Sequence, residues 1–192
     1  MSCPFSIDTE NHYMTYGAIL AREFDAALST VAWSGKGVVS NYGGDMGTTL
    51  PEMVDRALPG SESSVWDYSL LPTSDLVVIN LGTNDFSTDN DPSPEDFSAG
   101  YAALLRVIRA RHPEAFILCT LGPLLSGTDL STAALAIESA IAERANEGDT
   151  AIVYHPMQTG NPSPGCDWHP SIATHEAMAE ELSTVVATAL GW

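Results

Sequence analysis

The sequence predicts an α/β domain in which a parallel β-sheet is layered between helices, a three-layer α/β/α arrangement. Three observations predict it. Short, nearly all-apolar runs recur at 75–81, 115–121 and 151–154; amphipathic stretches of roughly 18 residues alternate with them; and glycine or proline marks the exits of the first two. Apolar strands without polar alternation are buried on both faces, as strands joined by crossover helices must be.

Taken in order, Asn11 to Leu28 places Tyr13, Tyr16, Leu20, Phe24 and Leu28 at three- and four-residue steps and predicts the first helix. Ser29–Trp33 is a short apolar run ending at Ser34-Gly-Lys-Gly37, expected as a strand followed by a glycine-rich loop. Pro51 suits the first turn of a short helix through Leu58. Asp75–Leu81 is the clearest buried strand and runs into Gly82-Thr-Asn-Asp85. Ser87 to Pro94 is polar and proline-punctuated, hence loop, and Pro94 to His112 is helical, with Phe97, Tyr101, Leu104 or Leu105, and Ile108 on one face. Ala115–Leu121 is a strand ending at Gly122-Pro123, Asp129–Asn146 a helix stopped near Gly148, and Ala151–Tyr154 the last strand. A loop with Gly160, Pro162, Pro164 and Gly165 leads to Cys166-Asp-Trp-His-Pro170, and a final helix spans Ser171 to Leu190.

With 192 residues and no internal repeat or linker, residues 1–192 are expected to form one domain. A chain of this size buries about 70% of its unfolded surface and needs neither disulfide nor metal for a core. Seven Lys+Arg against 25 Asp+Glu give a net charge of −18, which argues against nucleic acid or an anionic membrane as partner. Hydrophobic residues at 44% and charged ones at 17% keep the composition globular. Cys3, Cys119 and Cys166 are odd in number and lack CxxC spacing, so neither a disulfide framework nor a zinc site is expected. No cofactor motif stands out, since Gly35-Lys-Gly37 lacks the frame of a phosphate-binding loop. The N-terminus shows neither the basic start nor the apolar stretch of a signal peptide.

In parallel sheets ligands bind beyond the carboxyl ends of the strands, which directs attention to Ser34-Gly35, Gly82–Asp85, Gly122-Pro123 and the loop holding His169. Asn84 can aim an amide N–H at a developing oxyanion, although the same tetrapeptide also serves as an ordinary Asx turn. Gly35 can offer a backbone N–H to the same oxygen, because a residue without Cβ admits substrate closely; a plain glycine turn is the alternative. His169, on a loop before a helix, suits a general base that takes a proton from a hydroxyl, or else a surface cap. His12, His112, His155 and His175 read as structural or surface groups.

The order of these pieces resembles the SGNH hydrolases, the GDSL-like esterases, over nearly the whole chain. The stretches ENHYMTYGAILARE, TVAWSGKGV, VVINLGTNDFS, ILCTLGPLL and GCDWHPS are most similar to the catalytic domain of the family two carbohydrate esterases, which include acetyl xylan esterases. The resemblance implies a flavodoxin-like α/β/α sandwich and removal of acetyl groups from plant polysaccharides, commonly by secreted proteins. Carried over by position, it makes Gly35 and Asn84 the oxyanion donors and His169 the base. The usual triad aspartate lies three residues before the histidine, where this chain has Cys166; family two members orient the histidine by a backbone carbonyl, here expected to be that of Trp168. Asp167 is left as a carboxylate candidate for that task by nearness alone.

The family's nucleophile sits in a Gly-Asp-Ser block at the end of the first strand, and the sequence opens inside the loop that follows such a block. In a 2-1-3-4-5 sheet that strand is central. Its absence is expected to leave Thr30–Trp33 and Asp75–Leu81 with open edges, closed by direct pairing, a rearranged N-terminus, or a strand from a second chain in a homo-oligomer. Two functional readings follow. One is an esterase acting on a small acyl ester or acetylated carbohydrate, with Ser34 as substitute nucleophile, Ser2 and Ser6 as further candidates, and Trp33, Trp168 and Trp66 as flat surfaces for sugar rings. The other is a truncated, catalytically impaired remnant that binds acetyl-sugar or acetate; an ordinary acetyl esterase whose first strand lies upstream of this sequence is a third.

Overall fold

A computed structural model of the chain describes residues 3–70, 72–157 and 165–192. The expected loop residues Gly160, Pro162 and Pro164, and the candidate Ser2, lie outside them. Contacts divide the chain into two compact units, one of Met1–Thr30, Gly122–Leu124 and Met157–Trp192, the other of Val31–Leu121 and Leu125–Pro156.

The second unit holds the sheet. Strands β1 (Leu76–Asn80), β2 (Phe116–Leu121) and β3 (Ile152–Pro156) pair in parallel in the order β1-β2-β3. The register sets Asn80 beside Thr120 and Thr120 beside His155, and the Thr120 hydroxyl donates to the His155 carbonyl at 2.9 Å. The α/β class and the parallel connection agree with the expectation; the strands start and stop within two residues of the apolar runs.

Helix α3 (Pro94–Arg111) begins where Ser93 accepts from the Asp96 N–H and Pro94 occupies the first turn, with Glu95 and Asp96 at its start and Arg109 and Arg111 at its end. Those charges complement the helix dipole at both ends. Its buried Phe97, Tyr101, Leu104, Leu105 and Ile108 recur at helical spacing, as do Ala133, Ala136, Ile137 and Ala140 of α4 (Gly127–Asn146). The two helices pack together, and Ile117, Cys119 and Leu121, alternate residues of β2, join their core. Burial pushes the Cys119 thiol up to about 12.

The first unit pairs α1 (Tyr16–Glu23) with α5 (Ile172–Leu190). Tyr16 stacks on His175 near the start of both helices, and Phe24 meets Trp192 at their ends, so they run in the same direction. Ser171 caps α5 by accepting from the Thr174 N–H, and Gly191 closes it in the left-handed conformation.

Four expectations need correction. Helix α1 ends at Glu23, not Leu28: Asp25 turns left-handed at φ 51, the Ala26 N–H bonds back to the Ala21 carbonyl at 2.8 Å, and that of Asp25 to Arg22 at 3.3 Å. This is a Schellman stop with aspartate in glycine's usual place. The run 29–33 forms no strand; Val31 and Trp33 are half exposed, and among the described residues no strand pairs with them. The helix expected from Pro51 to Leu58 is one turn, α2 (Leu50–Met53). Finally, Cys3 and Cys166, 163 residues apart, form a disulfide. The odd cysteine count hid the pair because the third, Cys119, is buried and free.

Candidate active site

The residues expected to hold an oxyanion lie in the sheet-bearing unit, on two loops tied to each other. Gly35 sits in a turn at φ 75, where a Cβ would meet only the Tyr42 Cβ at 3.8 Å; the demand for glycine there is conformational. Its carbonyl accepts from the Tyr42 N–H at 2.8 Å. Beyond the end of β1, Asn84 donates its side-chain amide to the carbonyl of Lys36 at 2.9 Å. One Asn84 hydrogen is thereby spent holding the loop, and the amide retains a second for another acceptor.

Asp85 braces the same pair of loops. Its carboxylate accepts from the backbone N–H groups of Val38, Val39 and Ser40 at 2.8–3.0 Å. Burial pushes the Asp85 carboxyl above its ordinary value, against the pull of those three N–H groups. Gly37 passes so close that a Cβ would lie 1.9 Å from the Ser40 carbonyl and 2.6 Å from Asp85 Oδ2. Asn41 closes the far side, accepting from the Gly37 N–H and donating to Asp45, Gly47 and Thr48. At the strand end, Gly82 adopts φ 124, and its missing side chain makes room for Leu121 and Phe97, each 3.1 Å from where a Cβ would stand. A polar bracket thus holds the Gly35 turn and Asn84 together.

Ser34 is exposed beside Gly35, and its hydroxyl has no hydrogen-bond partner among the described residues. Trp33 is 51% exposed.

His169 lies in the other unit, exposed, in the loop between Gly165 and α5. Its Nδ1 is 2.9 Å from the backbone carbonyl of Asp167. A carbonyl only accepts, so Nδ1 carries the proton and Nε2 presents a lone pair, the form a general base needs. The orienting carbonyl is therefore that of Asp167 and not of Trp168, and the Asp167 contribution comes from its backbone. The reason is local: Asp167 and Trp168 are both left-handed, at φ 49 and 63, which turns the Asp167 carbonyl toward the ring. Trp168 is 68% exposed. His175 instead accepts from the Tyr16 N–H at 3.4 Å within the helix pair, and burial lowers its pKa.

Sequence reasoning singled out Asn84 but missed Asp85 next to it, whose partners lie 45–47 residues away. It also missed the bond from Cys166 to Cys3; the signal available was a pair of cysteines at opposite ends of the chain, one of them three residues before the candidate base.

Residues 3–177 match the GDSL-like lipase/acylhydrolase family. The chain belongs to that family. It is 40% identical over 190 residues to the cellulase/esterase CelE of Acetivibrio thermocellus, covering 98% of this chain and 23% of that protein. It is 28% identical over 180 residues to an acetylxylan esterase / glucomannan deacetylase of Cellvibrio japonicus, covering 93% and 49%. Among solved structures, a family two carbohydrate esterase from Clostridium thermocellum in complex with cellohexaose superposes with a TM-score of 0.91 at 40% identity, covering 99% of this chain and 58% of that one. The GDSL-like chain thus spans a quarter to a half of these two curated relatives' lengths, and the esterase-type fold is shared across nearly all of its own.

Proposed function

We propose that the chain is a carboxylic ester hydrolase acting on short acyl esters, above all acetyl groups on carbohydrate. Its membership of an acylhydrolase family and its likeness to proteins described as acetylxylan esterases support the reading. The observation that carries it is the bracket that fixes Asn84 against the Lys36 carbonyl beside the Gly35 turn. In the proposed reaction, His169 Nε2 takes the proton of Ser34 Oγ, which attacks the ester carbonyl. The oxyanion accepts from the Gly35 N–H and the second Asn84 N–H. His169 returns the proton to the departing sugar hydroxyl, and a water activated the same way releases acetate. Trp33 and Trp168 are the proposed surfaces for sugar rings, the kind of ligand that the cellohexaose complex of the similar structure holds.

Hydrolysis of an aryl acetate by wild type, Ser34→Ala and His169→Ala tests the assignment. Loss in both variants supports the dyad; loss in His169→Ala alone moves the nucleophile elsewhere. A specific observation favours a second reading, a chain that binds acetyl-sugar without turnover: the exposed Ser34 hydroxyl has no hydrogen-bond partner among the described residues. Saturable binding of an acetylated xylo-oligosaccharide with no hydrolysis by any form would establish that reading.

We also propose a homo-oligomer in which a strand from a second copy lies along β1. β1 is an edge of the three-stranded sheet, and among the described residues neither 29–33 nor the N-terminal segment, which forms 3-10 turns at Ile7–Thr9 and His12–Met14, pairs with it. Light scattering should give at least twice the chain mass; a monomer at micromolar concentration contradicts exchange.

A further inference from the structure

Granted His169 as the base, we infer that Cys3 and Cys166 are positioning residues whose disulfide sets the tautomer of that imidazole. Four contacts converge on the five residues from Gly165 to His169. The disulfide ties Cys166 to Cys3. The Asp167 N–H donates to the Cys3 carbonyl at 2.9 Å, the His169 N–H to the Cys166 carbonyl at 3.1 Å, and the Gly165 N–H to the His169 carbonyl at 2.6 Å. Between these fixed points the chain passes through two successive left-handed residues, neither of them glycine, Asp167 at φ 49 and Trp168 at φ 63.

That conformation is disfavoured for any residue with a Cβ and persists only where surrounding contacts over-determine it. It is also what presents the Asp167 carbonyl to His169 Nδ1 at 2.9 Å. Cys3 contributes twice, through its sulfur to Cys166 and through its carbonyl to the Asp167 N–H, so it holds the two residues that lead into the peptide whose carbonyl His169 uses. When the bond opens, Cys166 is released, the Asp167–Cys3 contact loses its anchor, and the backbone relaxes out of the left-handed region. Nδ1 then has no fixed acceptor. A free imidazole prefers its proton on Nε2, the atom that must be bare to accept one. The disulfide thereby acts on the chemistry through the ring, beyond any effect on the unfolded chain.

Nitrogen–proton correlation spectra of the histidine rings read the tautomer directly, with the His169 signals identified by their absence in His169→Gln. In the oxidised chain His169 should be in the Nδ1–H form. In Cys3→Ser/Cys166→Ser it should move toward the Nε2–H form, with kcat on aryl acetate down at least tenfold and KM within twofold. Should that variant not fold, the same reading is taken on the folded wild type reduced by a water-soluble phosphine, with circular dichroism as control. There the phosphine gives up two electrons and becomes its oxide, taking oxygen from water, and the disulfide becomes two thiols. An unchanged His169 tautomer after opening, in a folded protein, overturns the proposal even if the melting temperature falls. If the oxidised chain hydrolyses nothing, the esterase reading fails, and the ring spectra still decide this one.

Discussion

Asn84 and Asp85 are adjacent and do opposite things: one donates outward to the Lys36 carbonyl, the other gathers three backbone donors inward. With Asn84 as the proposed oxyanion donor, its replacement by alanine should lower kcat on an aryl acetate about 10²- to 10³-fold, the loss that follows removal of one such donor. Replacing Asp85 by alanine strands the N–H groups of Val38, Val39 and Ser40 in a buried loop. At about 1–3 kcal/mol for each unpaired group, urea unfolding should show a loss of at least about 3 kcal/mol. The Gly82-Thr-Asn-Asp85 turn and its candidate amide were legible because a glycine directly after an apolar run marks the end of a buried strand. The role of Asp85 was not, since its partners belong to a loop with no periodic pattern. Likewise, His169 was legible as a candidate base, whereas the carbonyl that orients it depends on two positive φ angles that no residue type there announces.

Among the elements, α3, β2 and α4 were read nearly to the residue, because buried helices and strands repeat their apolar positions and end in proline, glycine or charge. The misreadings came where a local stop outvoted the pattern. Phe24 and Leu28 continue the helical spacing of α1, yet Asp25 ends the helix; Thr30–Trp33 has strand composition and, among the described residues, no strand that pairs with it. A clamp that no pattern reveals joins the end of α3 to the starts of β2 and β3. Arg109 donates to the carbonyls of His112, Pro113, Ala115 and Ala151, and pairs with Asp149 at 2.9 Å in a largely buried setting. Burial pushes the Asp149 carboxyl up, but Arg109 and then Arg144 outweigh it and hold its pKa below the ordinary value. A depressed carboxylate contributes stability above its unfolded pKa of about 3.9 and loses it as pH falls through the folded value. Asp149→Asn should therefore be less stable than wild type by about 3 kcal/mol at pH 7, and the gap should close as pH drops below about 4. A gap independent of pH would contradict the pairing.

At the scale of the whole molecule, 25 acidic against 7 basic residues leave a net charge of −18 to be accommodated on one small protein. Self-repulsion of this size destabilises the compact state and is screened by salt, with a Debye length of about 3 Å at 1 M. The melting temperature should rise between 10 mM and 1 M sodium chloride, and a fall would mean that ion pairs such as Arg109–Asp149 outweigh the repulsion. The disulfide between Cys3 and Cys166 was illegible at this scale, since pairing across 163 residues depends on the completed fold and not on spacing. The measurement that bears most directly on the functional account is acetate released from O-acetylated xylan by this chain and by its His169→Ala variant. Acetate should rise in proportion to wild-type protein, with background release from the variant. No release by wild type, or equal release by both, would contradict it.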